Sequence, residues 1–321
     1  MQISIADARR LAETFLVESG LSSTDATIIA DILLEAELRG RKTHGFIRLP
    51  GIKSRHEQGE RTKIQVDKEE GQCMRINGGN QPGYLVAYRA MELAIERATQ
   101  NGVSVVGVYN TSHCGMAGYY ADMARRADIV GLFFADCLPR ITPEGGTEAI
   151  LGTNPLAVGI PSNTVPLLFD MSTAAITNGD LLVAMREGTE IAEGLAFDPD
   201  GEATTDPDAA LKGSVRPFGG HKGFGLALIV QILAGALVNA ATIPPPGASY
   251  GLLIIALNPT SFVPLAQFKT EVDELITCVK ENRRERGVTE ILIPGERAYR
   301  QRESHLVSGI HLDDTLVSQL T

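Results

Sequence analysis

The chain has 321 residues, 44% of them hydrophobic, with 33 glycines, no tryptophan and a formal net charge of −10 at pH 7. That length allows two or three domains with a real core, and the composition suits a globular α/β protein. The acidic balance, with a pI near 5.2, argues against a nucleic-acid or acidic-membrane partner, since either needs a basic face.

Cys73, Cys114, Cys137 and Cys278 are scattered without a CxxC pair and read as reduced thiols of a cytosolic protein. The N-terminal stretch has no apolar signal core. The longest apolar run, 224–241, is interrupted by Gln231, Gly235 and Asn239, so a buried helix is expected there in place of a membrane span. A cytoplasmic protein with no membrane partner is the expectation.

Along the chain, apolar spacing predicts a helix over 5–19, with Leu11, Phe15 and Leu16 on one face and Gly20 as its stop. A second helix is predicted over 24–38, entered through Ser22 or Ser23 and closed at Gly40. Residues 65–76 read as a strand pair. Pro82 opens a helix that runs to Thr99 and stops at Asn101-Gly102. A strand over 103–109, a helix over 117–127 and a strand over 129–135 follow. The short apolar runs 156–160 and 167–169 flank SNTVP and predict a hairpin. Residues 187–216, with Asp-Pro and Asp-Gly turns, read as a long surface excursion. A long helix over 223–239, a break at Pro244–Gly247, a strand over 252–257, an amphipathic helix over 262–286 and a short helix near Thr315 complete the reading.

The standard nucleotide and metal signatures are missing. There is no GxGxxG, and no Walker A loop because Gly223 follows Lys222; no HExxH or zinc-spaced His/Cys set occurs, so no metal is expected. Four other stretches are candidates for chemistry. GGHKGFG (219–225) offers close backbone approach, a helix N-terminus and the Lys222 charge to a phosphate, or else is a glycine-rich connection. THGFIR (43–48) sets His44, a proton carrier near neutrality, four residues before Arg48, a two-pronged carboxylate clamp. That pairing is what reduction of a 2-oxo acid requires, although a surface His and Arg are common. SHCG (112–115) places His113 just past a core strand, either as a catalytic group or as a histidine satisfied by backbone. Cys114 is discounted as a nucleophile acting with it, because neighbouring strand side chains face opposite ways. FDMST (169–173) puts Asp170 at a strand end, where it orients a histidine, holds a ribose or caps a turn.

Taken in order, ELRGRKTHGFIRLPG, NTSHCGMAGYYADMA, PEGGTEAILGTNP, LFDMST, ATTDPDAALKG, RPFGGHKGFGLAL, LIIALNP and ILIPGERAYRQRE cover nearly the whole chain. Together they resemble the malate/L-lactate dehydrogenase family, which is structurally unrelated to the Rossmann-type enzymes. Its members include ureidoglycolate and sulfolactate dehydrogenases, diketogulonate reductase and the Δ1-piperideine-2-carboxylate/Δ1-pyrroline-2-carboxylate reductases. The resemblance implies an α/β (α+β) fold whose non-Rossmann NAD(P)-binding domain uses a largely antiparallel or mixed sheet, with helical N-terminal and C-terminal elements. It divides the chain into a substrate-side region (1–75), a cofactor-binding core (76–240) and a C-terminal segment (241–321) that returns to the first.

Carried over position by position, the resemblance places catalytic work on His44 and His113, leaving open which carries the proton. Substrate binding falls on Thr43 and Arg48. Contacts to NAD or NADP fall on Asp170, Met171, Ser172, His221, Lys222, Gly295, Glu296 and Arg297. It also implies a homodimer acting on a small carboxylate. The activity expected is NAD(P)-dependent hydride transfer with a small 2-oxo/2-hydroxy acid; the alternatives are cyclic ketimine reduction and, more remotely, a non-catalytic binding protein on the same fold. Four departures from the family pattern stand out: Thr43 for the usual Ser, Ile52 for an aromatic near the substrate, Asp136-Cys137 for Asn-Ser/Thr beside the cofactor region, and a short 240–251 segment.

Overall fold

Seven strands make the central sheet of the computed structural model, which describes residues 1–58, 60–243 and 250–320. Across the sheet they run Gln65–Glu70, Cys73–Asn77, Val103–Thr111, Tyr250–Leu257, Val130–Ala135, Leu156–Ile160 and Leu167–Met171. Cys73–Asn77 and Val103–Thr111 pair in parallel, joined by the helix Gly83–Asn101. Every other neighbouring pair is antiparallel. The sheet is therefore mixed and largely antiparallel, as the family resemblance implied.

The strands Val103–Thr111 and Val130–Ala135 are linked through the helix Ala117–Arg126, but they do not pair. Tyr250–Leu257 lies between them, antiparallel to both. Its run of Leu252, Leu253, Ile254 and Ala256 is buried, which suits a strand covered on both faces. At the sheet edge, Gln65–Glu70 reads QVDKEE and is exposed throughout; its charges discourage further strand pairing. The sheet draws on all three stretches of chain distinguished above, residues 241–321 supplying its middle strand.

The N-terminal helices form where serines can cap them. Ser4 accepts from the Asp7 N–H and Ser22 from the Asp25 N–H, starting helices Ile5–Glu18 and Ser23–Leu38. The chain ends close on each other: Gln2–Ile3 pairs antiparallel with Ile310–His311. The helix Glu296–Ser308 is tied to the body by a buried ionic cluster. Arg39 donates to Glu35 at 3.1 Å and Asp122 at 2.9 Å, Arg302 donates to Glu35 at 2.5 Å, and the Tyr299 hydroxyl donates to Asp122.

Four stretches differ from the sequence expectation. Residues 187–216 are more than a surface excursion: Ala196–Phe197, Ala203–Thr204 and Ser214–Val215 form a small sheet beside the helix Pro207–Lys212. Ile191, Ala196, Ala210 and Val215 join Ile141, Leu151 and Leu181 in a second core, because sparse apolar residues separated by many polar ones still converge. Leu181 belongs to a helix, Asn178–Glu187, that the sequence reading passed over although Thr177 and Asp180 form a capping box at its start. The helix expected over 262–286 begins only at Leu265, after Pro264, and ends at Lys280. The long apolar helix runs His221–Ala234 and stops at Gly235, earlier at both ends than expected. The expected break at Pro244–Gly247 and most of the short 240–251 segment lie outside the described residues.

Candidate active site

The helix Ser23–Leu38 delivers a short irregular stretch made of two tight turns, Lys42–His44 and Phe46–Arg48, before the helix Leu49–Glu57, which has Pro50 in its first turn. The Thr43 hydroxyl lies 3.2 Å from His44 Nδ1. Arg48 Nε donates to the Thr43 carbonyl at 2.6 Å, which folds the guanidinium back toward the histidine and leaves its terminal nitrogens for another partner.

From the sheet side, Val103–Thr111 ends two residues before His113. Ser112 Oγ accepts the Gly83 N–H at 2.9 Å, fixing the loop on the start of the helix Gly83–Asn101. The Gly115 N–H donates to His113 Nδ1 at 3.3 Å, and the Tyr84 hydroxyl lies 3.3 Å from the same atom. A backbone N–H can only donate, so Nδ1 is the acceptor and neutral His113 carries its proton on Nε2. The His44 and His113 rings stack with centroids 6.0 Å apart.

Both imidazoles are held far below their ordinary range, His44 at about 4 and His113 at about 3. Burial is the larger cause in each, and the nearby Arg48 charge adds to it. At neutral pH both rings are uncharged. Cys114, beside His113, is buried and its thiol is pushed up by that burial, so it stays protonated and offers no thiolate.

A cavity of about 190 Å³ opens against His113, walled by Arg48, Ile52, Arg55, Arg61 and Tyr84. None of its lining residues is acidic. Among the described residues, the three arginines donate to neutral oxygens: Arg55 to Asn80, Arg61 to the Arg55 and Gln58 carbonyls, Arg48 to Thr43. Arg55 Nε is buried without a partner among the described residues. Sequence reasoning found Arg48 but not Arg55 or Arg61. A signal was present, since Arg48, Ile52 and Arg55 follow at i, i+4 and i+7 and so share one side of Leu49–Glu57. Ile52 is buried in this wall, at the position where the family pattern has an aromatic.

The loop 112–116 also borders a larger cavity of about 450 Å³, where Met116 meets Arg39, Arg41, Phe169, Asp170, Gly295 and Arg297. Three of the expected cofactor residues, Asp170, Gly295 and Arg297, thus face one space. Asp170 accepts the Gly118 N–H at 2.9 Å at the start of Ala117–Arg126, and burial pushes its carboxyl above the usual carboxylate range. Gly295 has φ +90, and a side chain there would meet the Leu168 carbonyl at 2.7 Å, so the turn that opens this wall requires glycine.

The other expected residues are placed differently. Glu296 points into the protein, where Lys280, Arg300 and the Ile293 N–H occupy its carboxylate; these partners outweigh burial and hold it at about 2. Ser172 Oγ donates to the Thr153 carbonyl at 3.1 Å, and Met171 pairs with Leu156 at the sheet edge. His221 and Lys222 are exposed at the start of His221–Ala234 and line neither cavity. A bridge between Ala174 and Pro217 links their loop to the strand end that carries Asp170.

Asp136 adds no negative charge at neutral pH. It is fully buried, and that burial pushes its carboxyl to about 8. Oδ1 accepts the Gly251 N–H at 2.5 Å, and Oδ2 is buried without a partner among the described residues. No cluster of three or more His, Cys, Asp or Glu side chains that would hold a metal occurs among the described residues.

A mixed, non-Rossmann sheet with two stacked neutral histidines, one from the loop after a strand and one from the turn after a helix, beside an arginine-walled cavity defines a class of α/β oxidoreductase. The profile of the malate/L-lactate dehydrogenase family matches residues 3–321, and the chain belongs to that family. It is 40% identical to the malate/(S)-sulfolactate dehydrogenase of Methanothermus fervidus, covering 100% of this chain and 96% of that protein. The sulfolactate dehydrogenase of Methanocaldococcus jannaschii superposes with a TM-score of 0.92 at 37% identity, covering 100% of this chain and 95% of that one. The malate dehydrogenase of Entamoeba histolytica gives a TM-score of 0.94 at 27% identity, covering 100% and 96%. The chain is accordingly an oxidoreductase enzyme, which answers the non-catalytic alternative, and its family implies a nicotinamide cofactor.

Proposed function

We propose that this enzyme transfers hydride between NAD or NADP and a small 2-oxo/2-hydroxy acid that carries a second anionic group, as malate and sulfolactate do. The observation that carries this reading is the cavity beside His113, where Arg48, Arg55 and Arg61 meet no carboxylate among the described residues. Arg48 is exposed and Arg55 and Arg61 are half-buried; three like charges gathered on one wall repel one another, and a substrate with two anionic ends offsets that charge. Arg48, nearest the histidines, clamps the 2-oxo carboxylate, and Arg55 with Arg61 takes the distal group.

The nicotinamide, when bound, supplies or accepts the hydride. Asp170, Gly295 and Arg297 are the residues that would hold the cofactor, with Arg41 and Arg297 offering charge to its phosphates, while Met171, Ser172, His221, Lys222 and Glu296 stand outside the lining of that space. The 450 Å³ space and the glycine-only turn at Gly295 fit such a group. This chain's own residues handle the proton. In oxidation, a neutral imidazole, His44 or His113, accepts the hydroxyl proton. In reduction, the substrate carboxylate offsets the Arg48 charge, which raises the histidine pKa and lets the ring hold the proton that the new alkoxide needs. Thr43 orients His44, and the Gly115 N–H orients His113.

A panel assay tests the reading: oxidation of NADH and of NADPH with oxaloacetate, 3-sulfopyruvate, pyruvate and Δ1-piperideine-2-carboxylate. The dianionic oxo acids are expected to give the highest kcat/KM. A preference for the cyclic imine would replace this reading with ketimine reduction.

A cytoplasmic homodimer is part of the proposal. His221–Val238 is long and apolar enough to cross a bilayer by length and composition. Yet Gln231 is buried within it, donating to the Thr242 carbonyl and accepting from Asn154 and Gly152. Its exposed Leu228, Ile229 and Ile232 suit a second copy of the chain, and light scattering of the purified protein reads the stoichiometry.

A further inference from the structure

We propose that Glu37 is a positioning residue for His44, acting through the backbone of Gly45 and Phe46; this rests on the reading of His44 as part of the catalytic site. Glu37 stands in the last turn of Ser23–Leu38 and is 4% exposed. Its Oε1 accepts the Phe46 N–H at 2.8 Å. That amide lies where the first tight turn gives way to the second, a point at which the helix-type bonding of neither turn satisfies it.

The contact is close on both sides. At Gly45 a side chain would begin 2.1 Å from Glu37 Oε1, so the loop rests directly on the carboxyl group and only glycine permits it. His44 is the residue immediately before this anchored pair, and its own N–H is already committed to the Arg41 carbonyl at 2.8 Å. The Glu37 bond therefore governs the direction in which the chain leaves His44. Two positions earlier, Glu35 shows what a purely structural carboxylate does on the same helix: it pairs with Arg39 and Arg302. Glu37 has no arginine partner among the described residues, and its bond is spent on the backbone of the histidine loop.

Steady-state kinetics on the full-length enzyme tests this with Glu37→Leu, Glu37→Gln, Gly45→Ala, His44→Ala and the Glu37→Leu/His44→Ala pair. Glu37→Leu removes the acceptor and is expected to lower kcat at least 10-fold, with NADH affinity changed less than twofold. Glu37→Gln keeps a carbonyl acceptor and is expected to recover most of that loss. The double variant is expected to be no slower than His44→Ala, because Glu37 acts only through His44. Gly45→Ala pushes a methyl into the carboxyl group and should reproduce the Glu37→Leu loss, which keeps the test open if Glu37→Leu does not fold. Wild-type turnover in Glu37→Leu or Gly45→Ala with His44→Ala impaired would overturn the proposal, as would Glu37→Gln being as slow as Glu37→Leu. Unimpaired His44→Ala would instead overturn the underlying reading of His44.

Discussion

His44 and His113 come from different elements, one from the turn after a helix and the other from the loop after a strand, and their rings stack at 6.0 Å with planes 25° apart. Two protonated rings in that arrangement would repel, and burial with the Arg48 charge already disfavours the first proton. On the proposed reading the pair accommodates one proton at most during turnover, and the two rings share one task unequally. Replacing each singly by Asn separates them. Loss of the ring that carries the proton should lower kcat by about 100-fold or more, and loss of the other should act mainly on KM. Equal effects of both on kcat alone would contradict this division.

The same two rings set an acid limit on stability. Their folded pKa values, about 4 and about 3, lie below the unfolded value of 6.5. As pH falls below 6.5 the unfolded chain takes up protons first, so the stability these groups contribute is complete above 6.5 and is lost progressively toward pH 3. Urea melts at pH 7 and pH 4.5 should show that loss, and the His44→Asn/His113→Asn protein should show a smaller one.

Asp136 has the opposite sign. Its folded pKa of about 8 lies above the ordinary value of 3.8, so its contribution is complete below 3.8 and is lost as pH rises through 8. Asn at this position keeps the acceptor for the Gly251 N–H without an ionisable group. Between pH 5 and pH 9 the wild-type protein should lose about 2–4 kcal/mol more than Asp136→Asn, at about 1.4 kcal/mol per pKa unit with allowance for relaxation. Parallel melts with pH would show no such divergence if the carboxyl group were solvated.

Arg55 and Arg61 make a sharper prediction about substrate. Arg55→Met or Arg61→Met should lower kcat/KM for oxaloacetate and 3-sulfopyruvate by about 10- to 100-fold, since a charge-assisted bond contributes about 1.5–3 kcal/mol. Pyruvate, which has no distal anion, should change by less than about threefold. A uniform loss across all three substrates would mean these arginines shape the cavity and do not read the second charge.

Arg39 tests the frame that holds the C-terminal helix. Its side chain and that of Asp122 are each 2% exposed. Arg39→Met leaves that acid buried with one cation fewer, and the expected loss is about 3–5 kcal/mol in urea melts.

Much of this architecture was legible because the determining interactions are local. Ser4 and Ser22 cap helices within three residues, Gly102 ends another, and the alternating burial of Val130–Ala135 follows from its own side chains. Ordered motifs across the whole length carried the family resemblance, and with it the expectation of a sheet unlike the Rossmann one. His44, Arg48 and His113 were recognisable as chemistry because few other residue types clamp a carboxylate or move a proton near neutrality.

What the chain alone left open depends on contacts between distant residues. The insertion of Tyr250–Leu257 between two strands that a helix connects is decided by which apolar faces must be buried together. The second core around Leu181 and Val215 assembles from residues too sparse to show a period. The state of each titratable group is likewise tertiary: Asp136 reads as a charge in the sequence, and burial makes it an acid. Glu296 reads as a cofactor contact, and Lys280 and Arg300 turn it inward. The amino-acid sequence by itself determined the elements and the residues able to do chemistry, because those rest on backbone propensity and functional groups. Only the tertiary structure decided which of those groups meet, how far water is excluded from them, and hence that both histidines stand uncharged beside an arginine-walled cavity.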